Sequence, residues 1–248
     1  MFINAIFMKQ TLNNEINLVY DYLSSWDKIE KNRNSKHIGL LSGLPGVILS
    51  LNEYSSIEFK KKYFKDYIDR TFELINKSDH LLPTYCDGLA GYGCFLLSLK
   101  NNKLLNDVEL ENDIDETLND IDEILSSQIE ELYNLGNLDI LHGLLGIGVY
   151  FLQKNKLPET LRVIEILKEH ICKTEEGYIF WKIPDYNDRS ITIIDMGNAH
   201  GVCANIFFLT KALSKEFLNE EIKKELIDII DGTIKFFLNQ KQEIKAKF

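Results

Sequence analysis

Cysteine, proline and tryptophan are scarce in this chain of 248 residues, which contains four cysteines, four prolines and two tryptophans. The cysteines show neither CxxC spacing nor the regular spacing of a disulfide framework; they are Cys86, Cys94, Cys172 and Cys203. This pattern excludes a small disulfide-stapled secreted domain and favours a cytoplasmic protein with reduced thiols. Because no Gly/Ser-rich linker divides the sequence, we expect a single domain over residues 1–248.

Positive charge is also in deficit, since 28 Lys and Arg stand against 38 Asp and Glu for a net charge of −10. We therefore expect no nucleic-acid partner, because an acidic surface releases no counterions from phosphate. No run approaches about 18 consecutive apolar residues, which predicts no membrane span. Residues 1–10 are apolar, but they lack the basic region and the cleavage site of a signal peptide.

Glycine residues mark a repeated pattern in the sequence. Four G-x-x-G or G-x-x-A units begin at Gly43, Gly88, Gly143 and Gly201, and each opens an apolar segment. Their spacing of about 50 residues is typical of a repeat architecture. Such glycines permit a sharp turn into a helix and a close approach of neighbouring backbones. If the apolar helices run parallel, their positive N-terminal ends gather at one rim, which is the predicted site.

Segments of a different character lie between the glycine units: residues 11–31, 57–76, 108–133, 157–172 and 218–239. In two of them apolar residues clearly recur in steps of three and four, which predicts amphipathic helices. The clearer series is Ile114, Leu118, Ile121, Leu125 and Ile129. The glycine-led segments are apolar nearly all round, as are helices buried on several sides. The sequence therefore predicts an all-α fold, an α/α toroid or solenoid of inner helices surrounded by outer ones.

One excursion interrupts the repeats at residues 177–194, just before the last glycine unit. It is rich in aromatic residues, including Tyr178, Phe180 and Trp181, and it is predicted to be extended. Two interpretations stay open from the sequence: the loop holds substrate beside the site, or it packs over the outer helices.

The glycine units resemble those of the lanthionine synthetase C-like proteins, the cyclases of lanthipeptide biosynthesis. The motifs are GLPG at Gly43, DGLAG around Gly88, LDILHGLLG around Gly143 and MGNAHG ending at Gly201. The resemblance runs from about His37 to the end of the chain and implies a toroid of helical hairpins, of which about four of seven are present. It also implies an activity: a cysteine thiol of a precursor peptide adds to dehydroalanine or dehydrobutyrine and closes a thioether ring.

The resemblance further implies a zinc ion in complete family members, held by a Trp-Cys-type motif and by a Cys-His pair followed by glycine. This sequence contains neither motif. It therefore looks like the N-terminal portion of a cyclase, with no cofactor and no metal site expected in this chain. A replacement zinc site would need Cys86 to converge with Cys203, His200 and Cys94, and we expect no such cluster.

Two residues are the candidates for catalysis, His200 and Asp139. His200 stands at the entry of the fourth apolar segment. A helix N-terminus there disfavours the charged imidazolium and leaves a neutral ring that can accept a proton. Asp139 lies four residues before Gly143, where its carboxylate can orient His200 or the incoming thiol. The resemblance implies a role in catalysis for the same two positions. The alternative is that both residues have only a structural role at the start of a helix. His142 is interpreted as a satisfied polar group at the rim.

The sequence leaves open whether this chain is itself an active enzyme. The first function is a cyclase-like peptide-modification protein that acts on a precursor peptide. The alternative is a non-catalytic toroid that binds a precursor peptide, a dehydratase or a second chain carrying the missing repeats. An α/α-barrel carbohydrate enzyme is a third, weaker candidate, because it needs two convergent carboxylates. Residues 206–209 and 236–238 are expected to present an apolar edge.

Overall fold

A computed structural model describes residues 37–54, 57–77, 81–101, 108–185, 188 and 190–245, together with 17–18 and 21–22. From residue 37 onward these residues form eight α-helices: α1 (Leu44–Tyr54), α2 (Ile57–Asn76), α3 (Leu89–Asn101), α4 (Val108–Asn134), α5 (Leu144–Lys154), α6 (Leu157–Glu169), α7 (Val202–Leu213) and α8 (Glu220–Lys245). Most of the amphipathic segment at 11–31 lies outside the described residues. Nowhere in the described part of the chain is a helix both long and apolar enough to cross a membrane.

The helices form two layers of hairpins. In the inner layer α1 packs on α3, α3 on α5, and α5 on α7, while each outer helix packs on the inner helix that precedes it in the chain. The outer helices are thus α2, α4, α6 and α8. This arrangement confirms the predicted all-α architecture of glycine-led inner helices and amphipathic outer ones.

Burial follows the sequence pattern. In α3 nearly every residue from Leu89 to Leu99 is buried, as an inner helix requires. In α4 the buried apolar residues fall at the predicted steps of three and four, and most of the acidic residues between them are exposed, Asp122 being the buried one. The predicted segment 218–239 begins two residues too early, because Asn219 caps α8 by accepting a hydrogen bond from the backbone N–H of Ile222 at 2.9 Å.

Neighbouring inner helices touch through glycines inside the helices. The ring of Tyr150 in α5 lies over Gly93 of α3, so close that a Cβ there would sit 2.3 Å from the ring. The ring of Phe208 in α7 lies over Gly148 of α5 in the same way, at 2.7 Å from such a Cβ. Each glycine therefore provides the space into which an aromatic side chain of the next repeat packs.

The excursion consists of two small antiparallel hairpins, which pair β1 (Cys172–Lys173) with β2 (Ile179–Phe180) and β3 (Ile183–Pro184) with β4 (Thr192–Ile193). Trp181 is 1% exposed and donates its indole N–H to the carbonyl of Leu167 at 2.8 Å. Phe180 stacks on Phe236 of α8 with ring centroids 5.0 Å apart. These two aromatic residues therefore pack against the outer helices, which is the second of the two interpretations.

The expected apolar edge is only partly exposed. Phe208 is buried against Gly148 of the preceding inner helix, Leu209 is also buried, and Phe236 stacks on Phe180. The expectation was wrong for these residues because a glycine and a hairpin supply partners that the periodicity of the sequence does not reveal. Phe207 and Leu238 do remain exposed.

Candidate functional site

Each inner helix begins with the same backbone turn. Its first N–H donates to the carbonyl seven residues earlier: Leu44 to His37 at 3.1 Å, Leu89 to Leu82 at 2.8 Å, Leu144 to Asn137 at 2.9 Å and Val202 to Asp195 at 2.8 Å. The glycine just before the helix packs on that carbonyl group, so that a Cβ on Gly201 would lie 2.1 Å from the carbonyl oxygen of Asp195. Gly201 has φ −122°, and close approach rather than a left-handed backbone is therefore what requires glycine.

Cys86 ties the first three turns together. Its carbonyl oxygen accepts hydrogen bonds from the backbone N–H of Leu41 at 3.2 Å and of Ser42 at 3.4 Å, both in the first turn. Its own N–H donates to the carbonyl of Leu141 in the third turn at 2.9 Å. The turns consequently sit side by side along one rim, as the repeat pattern predicts.

The residue just before the first glycine is polar in every turn: Ser42, Asp87, His142 and His200. The structure brings three of these side chains together. His142 Nδ1 lies 3.6 Å from a carboxylate oxygen of Asp87. The imidazole rings of His142 and His200 are nearly parallel, at 19°, with centroids 6.3 Å apart. A row of polar side chains thus follows the rim from one turn to the next.

Asp139 and His200 are in direct contact. His200 Nδ1 is hydrogen-bonded to one carboxylate oxygen of Asp139, and the pair joins the third turn to the fourth. The other carboxylate oxygen accepts the backbone N–H groups of Leu141 at 2.6 Å and of His142 at 2.8 Å. Asp139 is almost fully buried and His200 is about one third exposed. The structure therefore brings the two sequence candidates together, in the geometry of a carboxylate that orients an imidazole.

A cavity of about 440 Å³ lies beside this pair. Residues 135–139 form one wall, and Ile183, Pro184 and Asp185 of the second hairpin form another. His142 and His200 both line it. The excursion thus contributes to the site through its second hairpin, while Trp181 and Phe180 pack against the outer helices.

Cys86 lies at the rim next to carboxylates. Burial raises the pKa of its thiol to about 11, and Asp87 and Asp139 add to the shift because negative charge disfavours a thiolate. Burial also acts to raise the pKa of Asp87, but hydrogen bonds from Ser42 and Cys86 and the nearby His142 outweigh it, so that this pKa is lowered. At neutral pH the rim therefore holds a protonated thiol beside an ionised carboxylate.

Cys86, Asp87 and His142 form a donor set suited to a metal ion. One ligand atom from each lies within 4.8 Å of the others, and no further group of this kind is found among the described residues. The partners considered for Cys86 from the sequence were Cys203, His200 and Cys94, whereas the structure places Asp87 and His142 beside it. Cys94 is buried inside α3, whereas Asp87 follows Cys86 in the same turn and His142 belongs to the adjoining turn.

His142 and Asp87 are the residues that the sequence reasoning undervalued. His142 was interpreted singly, as a polar group satisfied at the rim. Superposing the four units on their first glycine places Ser42, Asp87, His142 and His200 in one column. That register was the available signal, because equivalent positions of adjoining repeats lie next to each other in space.

Four helical hairpins whose glycine turns meet at a rim, with a histidine–aspartate pair beside a cavity, define this protein as a helical toroid with a polar rim site. A family model described as lanthionine synthetase C-like protein matches residues 8–112 and 35–248, and the chain belongs to this family.

The chain is also similar to a curated protein in sequence and to a solved structure in fold. The chain is 28% identical over 247 residues to the nisin biosynthesis protein NisC of Lactococcus lactis subsp. lactis, covering 91% of this chain and 58% of that protein. It is similar in fold to the solved structure of a nisin cyclase, with a TM-score of 0.60 and 20% identity over 90% of this chain. The chain spans 58% of the length of that structure as well.

Proposed function

We propose that this chain takes part in thioether ring closure on a dehydrated precursor peptide, with His200 and Asp139 as its proton-transfer pair. The observation on which the proposal rests is the contact between His200 and Asp139 at the wall of the cavity. Membership of the lanthionine synthetase C-like family and the likeness to a nisin biosynthesis protein support the choice of reaction. The reduced thiols that the reaction needs agree with the cytoplasmic location expected from the sequence, which stays a prediction.

Asp139 acts on the reaction through His200. Its carboxylate is fixed by the backbone N–H groups of Leu141 and His142, so that the imidazole bound to it is held in one orientation. When Nδ1–H donates to the carboxylate, the neutral ring presents Nε2 as the proton acceptor. The same carboxylate stabilises the imidazolium that forms when Nε2 takes up a proton.

One residue, His200, both accepts and returns the proton that moves during the reaction. Nε2 of His200 accepts the proton of the peptide thiol while the sulfur attacks the β-carbon of the dehydroamino acid. The electron pair of the broken π bond moves to the carbonyl as an enolate, and the imidazolium then delivers the same proton to the α-carbon. The N-terminal ends of the inner helices, which meet at the rim, favour the negative charge of the enolate.

The dependence of the closure rate on pH tests this proposal. The substrate is a synthetic peptide with one dehydroalanine and one cysteine, and closure is followed as loss of free thiol in the presence of a chelator. A shuttle that needs a neutral imidazole and a protonated thiol gives a bell-shaped profile, because the rate rises as the imidazole loses its proton and falls as the thiol loses its proton. We expect His200→Gln to abolish the bell and lower the rate at its maximum by about 100-fold.

His170→Gln is the matched control, since His170 bonds the carbonyl of Ile166 and lies outside the cavity lining. It should keep the bell-shaped profile. A wild-type rate equal to that of the peptide alone at every pH contradicts a catalytic role. Tight binding of the peptide without closure then favours the alternative, a toroid that binds a precursor peptide or a dehydratase.

A further inference from the structure

We propose that Cys86, Asp87 and His142 bind one divalent transition-metal ion of the zinc type. These residues are not the ligands that the family resemblance implies, which belong to motifs absent from this sequence. The inference rests on the geometry of the second and third turns and does not depend on the proposed function.

The distances allow coordination with small side-chain movements. Tetrahedral zinc with bonds of 2.0–2.3 Å holds its ligand atoms about 3.5 Å apart. His142 Nδ1 and the nearer carboxylate oxygen of Asp87 are already 3.6 Å apart. The three ligand atoms lie within 4.8 Å of one another, so the remaining contraction is about 1 Å.

The backbone that carries these side chains is braced on both sides. Cys86 N–H is bonded to Leu141 O at 2.9 Å, which connects the turn of Cys86 and Asp87 to the turn of His142. The N–H of His142 is in turn held by Asp139 at 2.8 Å. Since backbone bonds fix the two turns relative to each other, only side-chain rotation is needed to complete the site.

Charge and donor chemistry both favour such an ion. The N-termini of α3 and α5 contribute about half a positive charge each, which the carboxylates of Asp87 and Asp139 outweigh. On binding, the thiol of Cys86 loses its proton to solvent and becomes a thiolate ligand. A mixed sulfur, nitrogen and oxygen set suits zinc rather than magnesium or calcium, which prefer oxygen alone. Three protein ligands leave a fourth position open.

Cobalt(II), a spectroscopic substitute for zinc, provides the test. The metal-free wild-type chain is titrated with cobalt, and the near-ultraviolet thiolate-to-cobalt absorption is recorded. We expect saturation at one equivalent and displacement by zinc. The absorption should be lost in Cys86→Ser and retained in Cys203→Ser, a matched variant of another half-buried cysteine. His142→Gln and Asp87→Asn should each weaken binding by about 10-fold or more, because each removes one of three ligands.

Two outcomes overturn the proposal: absence of a saturable thiolate band in the wild type, or a band that persists in Cys86→Ser. Alkylation of the wild-type chain gives a measurement that needs no variant. Zinc should slow the labelling of Cys86, located by peptide mass mapping, without slowing that of Cys203. Equal labelling rates of Cys86 with and without zinc also contradict the site.

Discussion

At the scale of the residue, the rim combines a fixed backbone with variable side chains. Four turns repeat the same hydrogen bond over seven residues, and four different polar residues occupy the place before the glycine. A side chain at this place meets its counterparts in the adjoining turns, as His142 meets Asp87 and His200. The chemistry of the site is therefore set between turns rather than within one of them.

Gly201→Ala tests how tightly the fourth turn is built. The added Cβ would lie 2.1 Å from the carbonyl oxygen and 2.5 Å from the carbonyl carbon of Asp195, so the backbone itself must move. We expect a loss of about 1–3 kcal/mol in the free energy of unfolding, measured by urea titration. Gly197→Ala is the control, because the atoms nearest to its Cβ would belong to the side chain of Asp195, the first at 2.9 Å, and a side chain can move more easily than backbone. Equal stability losses in the two variants would contradict this account.

At the scale of the element, Tyr150 joins three helices. Its ring covers Gly93 of α3, and its hydroxyl group donates to Asp122 of α4 at 2.6 Å. Burial and the neighbouring carboxylate raise the pKa of Tyr150, so its hydroxyl stays protonated and remains a donor. Asp122 also forms an ion pair with Lys156, which lies just before α6, with the nitrogen and oxygen 2.8 Å apart. A buried polar contact thus fixes the outer layer against the inner one.

Tyr150→Phe keeps the ring over Gly93 and removes the donor to a buried carboxylate. We expect a loss of about 1–3 kcal/mol in the free energy of unfolding, since hydrogen bonds to charged groups are the stronger ones. Tyr133→Phe is the control, because that hydroxyl is exposed and contacts Glu169 at the surface. Thermal and urea unfolding should separate the two variants, and an unchanged midpoint for Tyr150→Phe would contradict the role given to this contact.

At the scale of the whole molecule, an apolar stripe remains uncovered on the described surface of α8. Ile227, Ile234 and Leu238 are spaced by seven and four residues and are 48%, 44% and 56% exposed. Phe207 of the neighbouring helix α7 is 40% exposed. Exposed apolar surface that lies together tends to be covered by a partner. In a purified sample the available partner is a second copy of the chain.

We therefore expect concentration-dependent self-association in sedimentation velocity. Replacing Ile234 and Leu238 together by lysine should shift the distribution toward the monomer. Ile124→Lys is the control, since Ile124 is exposed alone among polar residues on α4 and its change should leave association unaltered. A monodisperse wild-type monomer over the whole concentration range, with negligible binding of a hydrophobic dye, would contradict the prediction.

Much of the fold follows from the sequence, because the glycine units mark where inner helices begin and the period of three and four marks the outer ones. The predicted segment 57–76 coincides with α2. The contact between Asp139 and His200, 61 residues apart in sequence, can also be predicted, since adjoining repeats place equivalent turns together. The packing of Trp181 cannot be predicted in this way, because it depends on a contact with Leu167 of α6 that local patterns do not encode. The grouping of Asp87 with His142 could have been inferred from the register of the four units.

The turn at the start of each inner helix has a consequence for how such a rim can change. Its closing bonds join backbone to backbone, so the side chain before the glycine takes no part in the closing bond itself. Ser42 and His200 occupy this place in loops with the same closing bond, although a hydroxyl and an imidazole have little in common. The position before each glycine can therefore carry different reactive side chains on the same loop backbone. A single substitution there exchanges the reactive group and keeps the backbone bond that closes the loop.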